Sequence, residues 1–234
     1  MIYSMKPALL LEWKCYCGQR NERGNGQRIH RGITTKKNEY PWMVRLHGNC
    51  GGSLINSRWV LTAGHCLEYG RMVSLGDHDR TDPDEDTEIQ METIEEILHP
   101  EFKYKPSENI PEFDIGLLKL KNDIDFTKHP HIRPVCLPKD ANEDYVGWGA
   151  TVTGWGLVEK DVYPDKLQAI TGDVQSNLEC SKLKMGCMGN DPEQCAVSGI
   201  PDNNNDNNNN SVLCQVYLTM IIIIMITVCC VRYT

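Results

Sequence analysis

The sequence predicts an all-β protein built around a small barrel, and three observations carry that expectation. Residues 40–46 (YPWMVRL), 52–55 (GSLI) and 59–62 (WVLT) are short runs rich in β-branched and aromatic residues. Gly, Asn and Ser turns separate these runs at the close spacing expected of barrel strands. Helical periodicity is nearly missing, since only residues 92–98 offer apolar side chains three and four apart.

In chain order, Cys15-Tyr16-Cys17-Gly18 opens a Gly-, Asn- and Arg-rich stretch that ends at Arg28. It has no periodic apolar pattern and reads as an exposed linker. After the first three strands come further strands at 71–75, at the Ile89/Met91 alternation and at 114–120. Between them lies an acidic loop, residues 75–88 (LGDHDRTDPDEDTE). A length of 234 residues suits one large all-β domain or two small ones.

Charge and cysteine content bound the function. Residues 77–96 hold ten carboxylates against Arg80 alone, so this region supplies the whole formal charge of −8. A basic footprint for nucleic acid is missing, which excludes that class of partner. The eleven cysteines include no C-x-x-C pair of the zinc type, so disulfides in an oxidising, extracellular compartment are expected. The apolar run at 8–11 is too short for a signal-peptide core, and the sequence is expected to begin inside a longer protein.

The stretch most suggestive of chemistry is W-V-L-T-A-G-H-C at 59–66, where a histidine closes an apolar run beside a cysteine. Imidazole titrates near neutrality, so a rigidly held His65 can take a proton from a nucleophile and return it to a leaving group. Four other stretches accompany it. They are C-G-G-S-L-I at 50–55, D-I-G-L-L at 114–118, R-P-V-C-L-P at 133–138 and A-T-V-T-G-W-G at 150–156. V-Q-S-N-L-E-C at 174–180 extends the series.

Taken together, these motifs closely resemble the trypsin-like (chymotrypsin-fold, peptidase S1) serine proteases from Cys17 to Cys180. The resemblance implies a double β-barrel, with residues 29–138 as a complete first barrel and 139–200 as a truncated second one. It implies His65 as general base and acid, Asp114 as the group that orients its ring, and a protein or peptide as substrate or partner. It pairs Cys50 with Cys66, closing a loop worth about 3 kcal/mol in the chain-entropy account. Cys136 would pair with Cys17 or Cys15, and Cys180 with Cys187 or Cys195. Residues 1–28 become a propeptide or connecting segment, and Arg28–Ile29 the candidate activation bond of a zymogen. His30 and Arg31 depart from the family's Ile-Val-Gly-Gly start, and a solvated basic linker is the plainer reading there. No cofactor is required. Asp77, Asp79 and Glu88 resemble a calcium loop, while an acidic loop without metal fits the same residues.

The resemblance stops near Cys180. The family's G-D-S-G-G, which carries the nucleophile and the oxyanion-hole amides, occurs nowhere in the sequence. Ser181, Ser198 and Ser211 lack its flanking glycines and aspartate. The expectation is therefore a serine endopeptidase by family that is inactive as it stands, with a non-catalytic binding or regulatory homologue as the alternative. Residues 201–211 form an Asn-rich linker, and 212–231 hold twenty residues with Gln215 the only strongly polar one. That length suits a transmembrane helix with its C-terminus in the cytoplasm, and membrane contact would depend on it. A translated accident of gene structure is the other reading of the tail, and it implies exposed apolar surface beside an unclosed barrel.

Overall fold

The structure is a computed structural model that describes residues 17–21, 33–83, 85–105, 110–138, 145–156, 163–175 and 212–214. The candidate activation bond Arg28–Ile29, the three serines and the cysteines at 15, 180, 187, 195, 214, 229 and 230 lie outside the residues whose side chains are described. Of the tail, Val212–Cys214 is described as a strand, and the remainder lies outside. Among the described residues no helix is long and apolar enough to cross a membrane.

Six strands close a barrel. They are β2 (Met43–Leu46), β3 (Gly51–Leu54), β4 (Trp59–Thr62), β5 (Met72–Leu75), β6 (Ile89–Leu98) and β9 (Gly116–Leu120). All pair antiparallel in the order β2-β3-β4-β9-β6-β5, with β5 returning to β2. Alternation explains the inside: Leu118 and Leu120 of β9 are fully buried while the alternate residues Leu117 and Lys119 are half-buried. Trp42, Val44, Leu46, Leu54, Val60, Val73 and Leu75 fill the same interior. Closure leaves the barrel without a free edge, which suits a unit that must hold a site rigidly.

The 92–98 stretch is strand, not helix. Its pairing with β9 shifts register between Thr93 and Glu95, so Ile94 sits in a bulge and the pleat changes phase. Ile94, Ile97 and Leu98, the residues with helix-like spacing, are all exposed. A short hairpin unforeseen in the sequence, β7 (Lys103–Lys105) and β8 (Ile110–Glu112), leads from β6 toward Asp114.

A second sheet stands against the barrel. Its strands are β1 (Ile33–Thr34), β10 (Gly149–Gly154), β11 (Gln168–Gln175) and β12 (Val212–Cys214), with β11 at the centre and β12 parallel to it. Trp155, Leu167 and Ala169 join the barrel's apolar cluster. His78 ties the two units together: its carbonyl accepts from Leu167 N (2.9 Å) and Trp155 Nε1 (3.2 Å). Its Nε2 lies 2.8 Å from the Thr35 carbonyl.

The segment 17–21 is fastened to this body. Cys17, rather than Cys15, bonds Cys136, and Gly18 N donates to Pro134 O at 2.8 Å. Asn21 Nδ2 donates to Asn38 O and His131 O, and Arg20 pairs with Glu39 over the Tyr40 ring.

Candidate active site

Strand β4 ends at Thr62, and the chain turns at once into a 3₁₀ helix, Gly64–Tyr69, that carries His65 on its first turn. Two bonds fix that turn: Cys66 N donates to Ala63 O, and the Cys66 side chain is bonded to Cys50 beside β3. Opposite, Asp114 precedes β9 and is 4% exposed. Phe113 takes a left-handed φ of 53° and stacks its ring on His99, while Ile115 N donates back to Phe113 O. Such a backbone is uncommon for a bulky residue and turns the chain sharply at the aspartate.

The two residues meet through two hydrogen bonds. Asp114 Oδ1 accepts the His65 backbone N–H at 2.7 Å, and Oδ2 lies 2.6 Å from His65 Nδ1. A buried carboxylate is an acceptor only, so the ring proton belongs on Nδ1 and the Nε2 lone pair is left free. Cys66 Sγ lies 3.4 Å from Nε2, and as a disulfide sulfur it has no proton to give. The His65 side chain is 53% exposed, so Nε2 is open to a reacting group. The hydrogen bond to Asp114 raises the imidazole pKa above its ordinary value of 6.5. Burial works against that rise, while the charges of Asp114 and Glu68 reinforce it.

Two glycines explain letters of the motifs. A Cβ on Gly64 would meet Leu98 Cδ1 at 2.7 Å and Asp114 Oδ1 at 3.2 Å, so the bare backbone lets the carboxylate reach the His65 amide. A Cβ on Gly116 would meet Leu67 Cδ2 at 2.8 Å, so this glycine lets the 3₁₀ helix pack on β9. The sequence reading missed these, along with the His99–Phe113 stack. The missed signal was a glycine one residue before His65 and another two residues after Asp114.

The acidic loop arranges its carboxylates differently from a calcium cradle. Asp77 is paired with Arg45 Nε, and Glu88 Oε1 lies 3.4 Å from the other end of that guanidinium. Asp79 accepts from Thr81 N and its hydroxyl and faces Lys166 Nζ at 3.9 Å. Calcium takes six to eight oxygens at about 2.3–2.6 Å, so these three residues as arranged do not fit it. Among the described residues, the His/Cys/carboxylate group drawn within 4.8 Å is Cys50, His65 and Cys66. Its two sulfurs are bonded to each other, so it is no metal site either.

Residues 29–207 match the family model described as Trypsin, and the chain belongs to the trypsin family of serine proteases. It is 34% identical over 209 residues to the Spaetzle-processing enzyme of Drosophila melanogaster, across 72% of this chain and 50% of that protein. It is also 34% identical to Phenoloxidase-activating factor 1 of Holotrichia diomphalia, across 71% of this chain and 51% of that protein. Ovochymase-2 of Mus musculus is 34% identical, across 67% of this chain and 26% of that protein. The chain thus spans about half of these curated relatives' length or less. The solved structure of neuropsin, a serine protease expressed in the limbic system of mouse brain, matches with a TM-score of 0.56 and 28% identity. That match covers 66% of this chain and 69% of the other.

Proposed function

We propose that the protein is built on the serine endopeptidase plan, with His65 as general base and acid and Asp114 as the residue that orients it. The observation that carries this reading is the Nδ1–H···Oδ2 bond that leaves Nε2 free on the exposed side of the ring. In a peptide-bond cleavage by this plan, Nε2 would take the proton of a serine hydroxyl as that oxygen attacks the carbonyl carbon. It would then hand the proton to the departing amine. Asp114 stabilises the imidazolium between these steps and does not itself take up the proton. A protein or peptide is the substrate class. Relatives named for processing Spaetzle and for activating phenoloxidase support that class for their family.

These 234 residues contain no G-D-S-G-G, so the chain as given does not turn over peptide bonds. The same observation favours a second reading, a non-catalytic homologue that acts as a binding or regulatory module. A fluorophosphonate probe tests the choice, because covalent labelling requires an activated serine. No labelling is expected. A labelled band that disappears in His65→Ala would establish a working nucleophile and overturn the inactive reading.

Secretion into an oxidising compartment belongs to the same proposal and is supported by two disulfides in the described residues. So does zymogen processing at Arg28–Ile29. The Cys17–Cys136 bond would keep the piece before that cut attached. A trypsin-like protease should nick this bond ahead of other basic sites, and uniform cutting would sink the zymogen reading.

A further inference from the structure

The loop that runs from Gly76 to Glu88 carries seven carboxylates and one cation of its own, Arg80. Such a density of negative charge, partly buried, needs positive charge from elsewhere. Arg45 lies on β2, at a strand position where its side chain crosses the neighbouring strand β5: its backbone partner there is Ser74. From that position the guanidinium spans two loop carboxylates, Nε on Asp77 and one terminal nitrogen 3.4 Å from Glu88 Oε1. The same terminal nitrogen is 3.4 Å from Ser74 Oγ. The Asp77 side chain is 2% exposed and that of Glu88 is 10%, so the bridge is shielded from solvent.

We propose that the Arg45 guanidinium is the structural cation of the acidic loop, standing where the family resemblance puts calcium, so that the loop folds without a metal. The planar fork of arginine bridges two carboxylates at fixed geometry, which a hydrated lysine ammonium does less well. A calcium ion seated between Asp77 and Glu88 would have to displace this guanidinium from both carboxylates. Glu85 is held in a similar way. Glu85 accepts the backbone N–H groups of His78 and Asp79 at 2.8 and 3.0 Å and pairs with Lys37 at 3.3 Å. Burial pushes the Asp77 carboxyl up from its ordinary range and Arg45 pulls it back, so removing Arg45 leaves a buried acid uncompensated.

The test is thermal unfolding of the full oxidised chain in chelator and in millimolar calcium, for the wild type, Arg45→Gln and Arg45→Lys. The wild type should melt at the same temperature in both buffers. Arg45→Gln should melt several degrees lower in chelator and regain part of the loss with calcium, because the freed carboxylates become ligands. A wild type stabilised by calcium would overturn the proposal, and so would an Arg45→Gln protein that folds and ignores calcium. If Arg45→Gln does not fold in either buffer, Arg45→Lys decides. Calcium-independent melting in Arg45→Lys supports the substitution of metal by side chain, and calcium-dependent melting rejects it.

Discussion

Removing the Cys50–Cys66 bond by a double Cys→Ala replacement separates two contributions that meet at His65, the covalent pin and the carboxylate. The bond closes a loop with a sequence separation of 16. In the chain-entropy account such a closure removes about 10 cal/mol/K from the unfolded ensemble, or about 3 kcal/mol at 25 °C. For a chain of this size each kcal/mol moves the melting temperature by about 2–4 °C, so the double variant should melt about 6–12 °C lower. The His65–Asp114 geometry should survive, because Asp114 grips the His65 backbone amide as well as its ring and is itself held at the start of β9. Thermal unfolding by circular dichroism gives the first number, and an NMR titration of His65 gives the second. A melting shift below about 2 °C would refute the loop-entropy reasoning. An imidazole that returns to ordinary titration would show that the disulfide, not Asp114, places the ring.

Three further variants test the site and the barrel beneath it. Asp114→Asn exchanges a charge-assisted bond for a neutral one and should cost about 1 kcal/mol, while its amide group drives the His65 proton from Nδ1 to Nε2, readable in imidazole nitrogen shifts. Because Asp114 raises the His65 pKa, its stabilising effect is full below pH 6.5 and fades as pH rises through the folded-state value. The stability gap between wild type and Asp114→Asn should therefore shrink with rising pH, and a gap that widens would contradict that sign. Gly116→Ala should cost about 1–3 kcal/mol by overpacking against Leu67, measured by urea unfolding. Leu118→Ala, at a fully buried barrel position, should cost about 2–5 kcal/mol in the same assay.

Much of the first barrel was legible because its strands alternate strictly or are bounded by turns. Residues 59–62 were read as a strand and form β4, and the reading at 71–75 differs from β5 by a single residue. The three-four spacing at 92–98, the one helical signal in the sequence, falls in a bulged strand, where periodicity counted along the chain does not register an inserted residue. The β7–β8 hairpin escaped because Lys103-Tyr104-Lys105 and Ile110-Pro111-Glu112 carry too few apolar residues to show alternation.

At the site, His65 and Asp114 were legible only through motif spacing, since 49 residues separate them and no local pattern links them. The Cys136 partner was narrowed to two cysteines by sequence and decided by Gly18 docking against Pro134. Arg45 was read as one residue of a strand. Its reach across β5 into the acidic loop depends on tertiary register, which charge counting along the chain does not contain. The loop's negative charge was visible in sequence, but the cations that answer it come from residues 37, 45 and 166.

The most direct test of the base-and-orienter account is the imidazole of His65 followed by nitrogen-15 NMR across pH in the wild-type chain. The account predicts a neutral ring protonated on Nδ1, a pKa above 6.5, and loss of both features in Asp114→Asn. A neutral ring protonated on Nε2, or a titration that Asp114→Asn leaves unchanged, would contradict it.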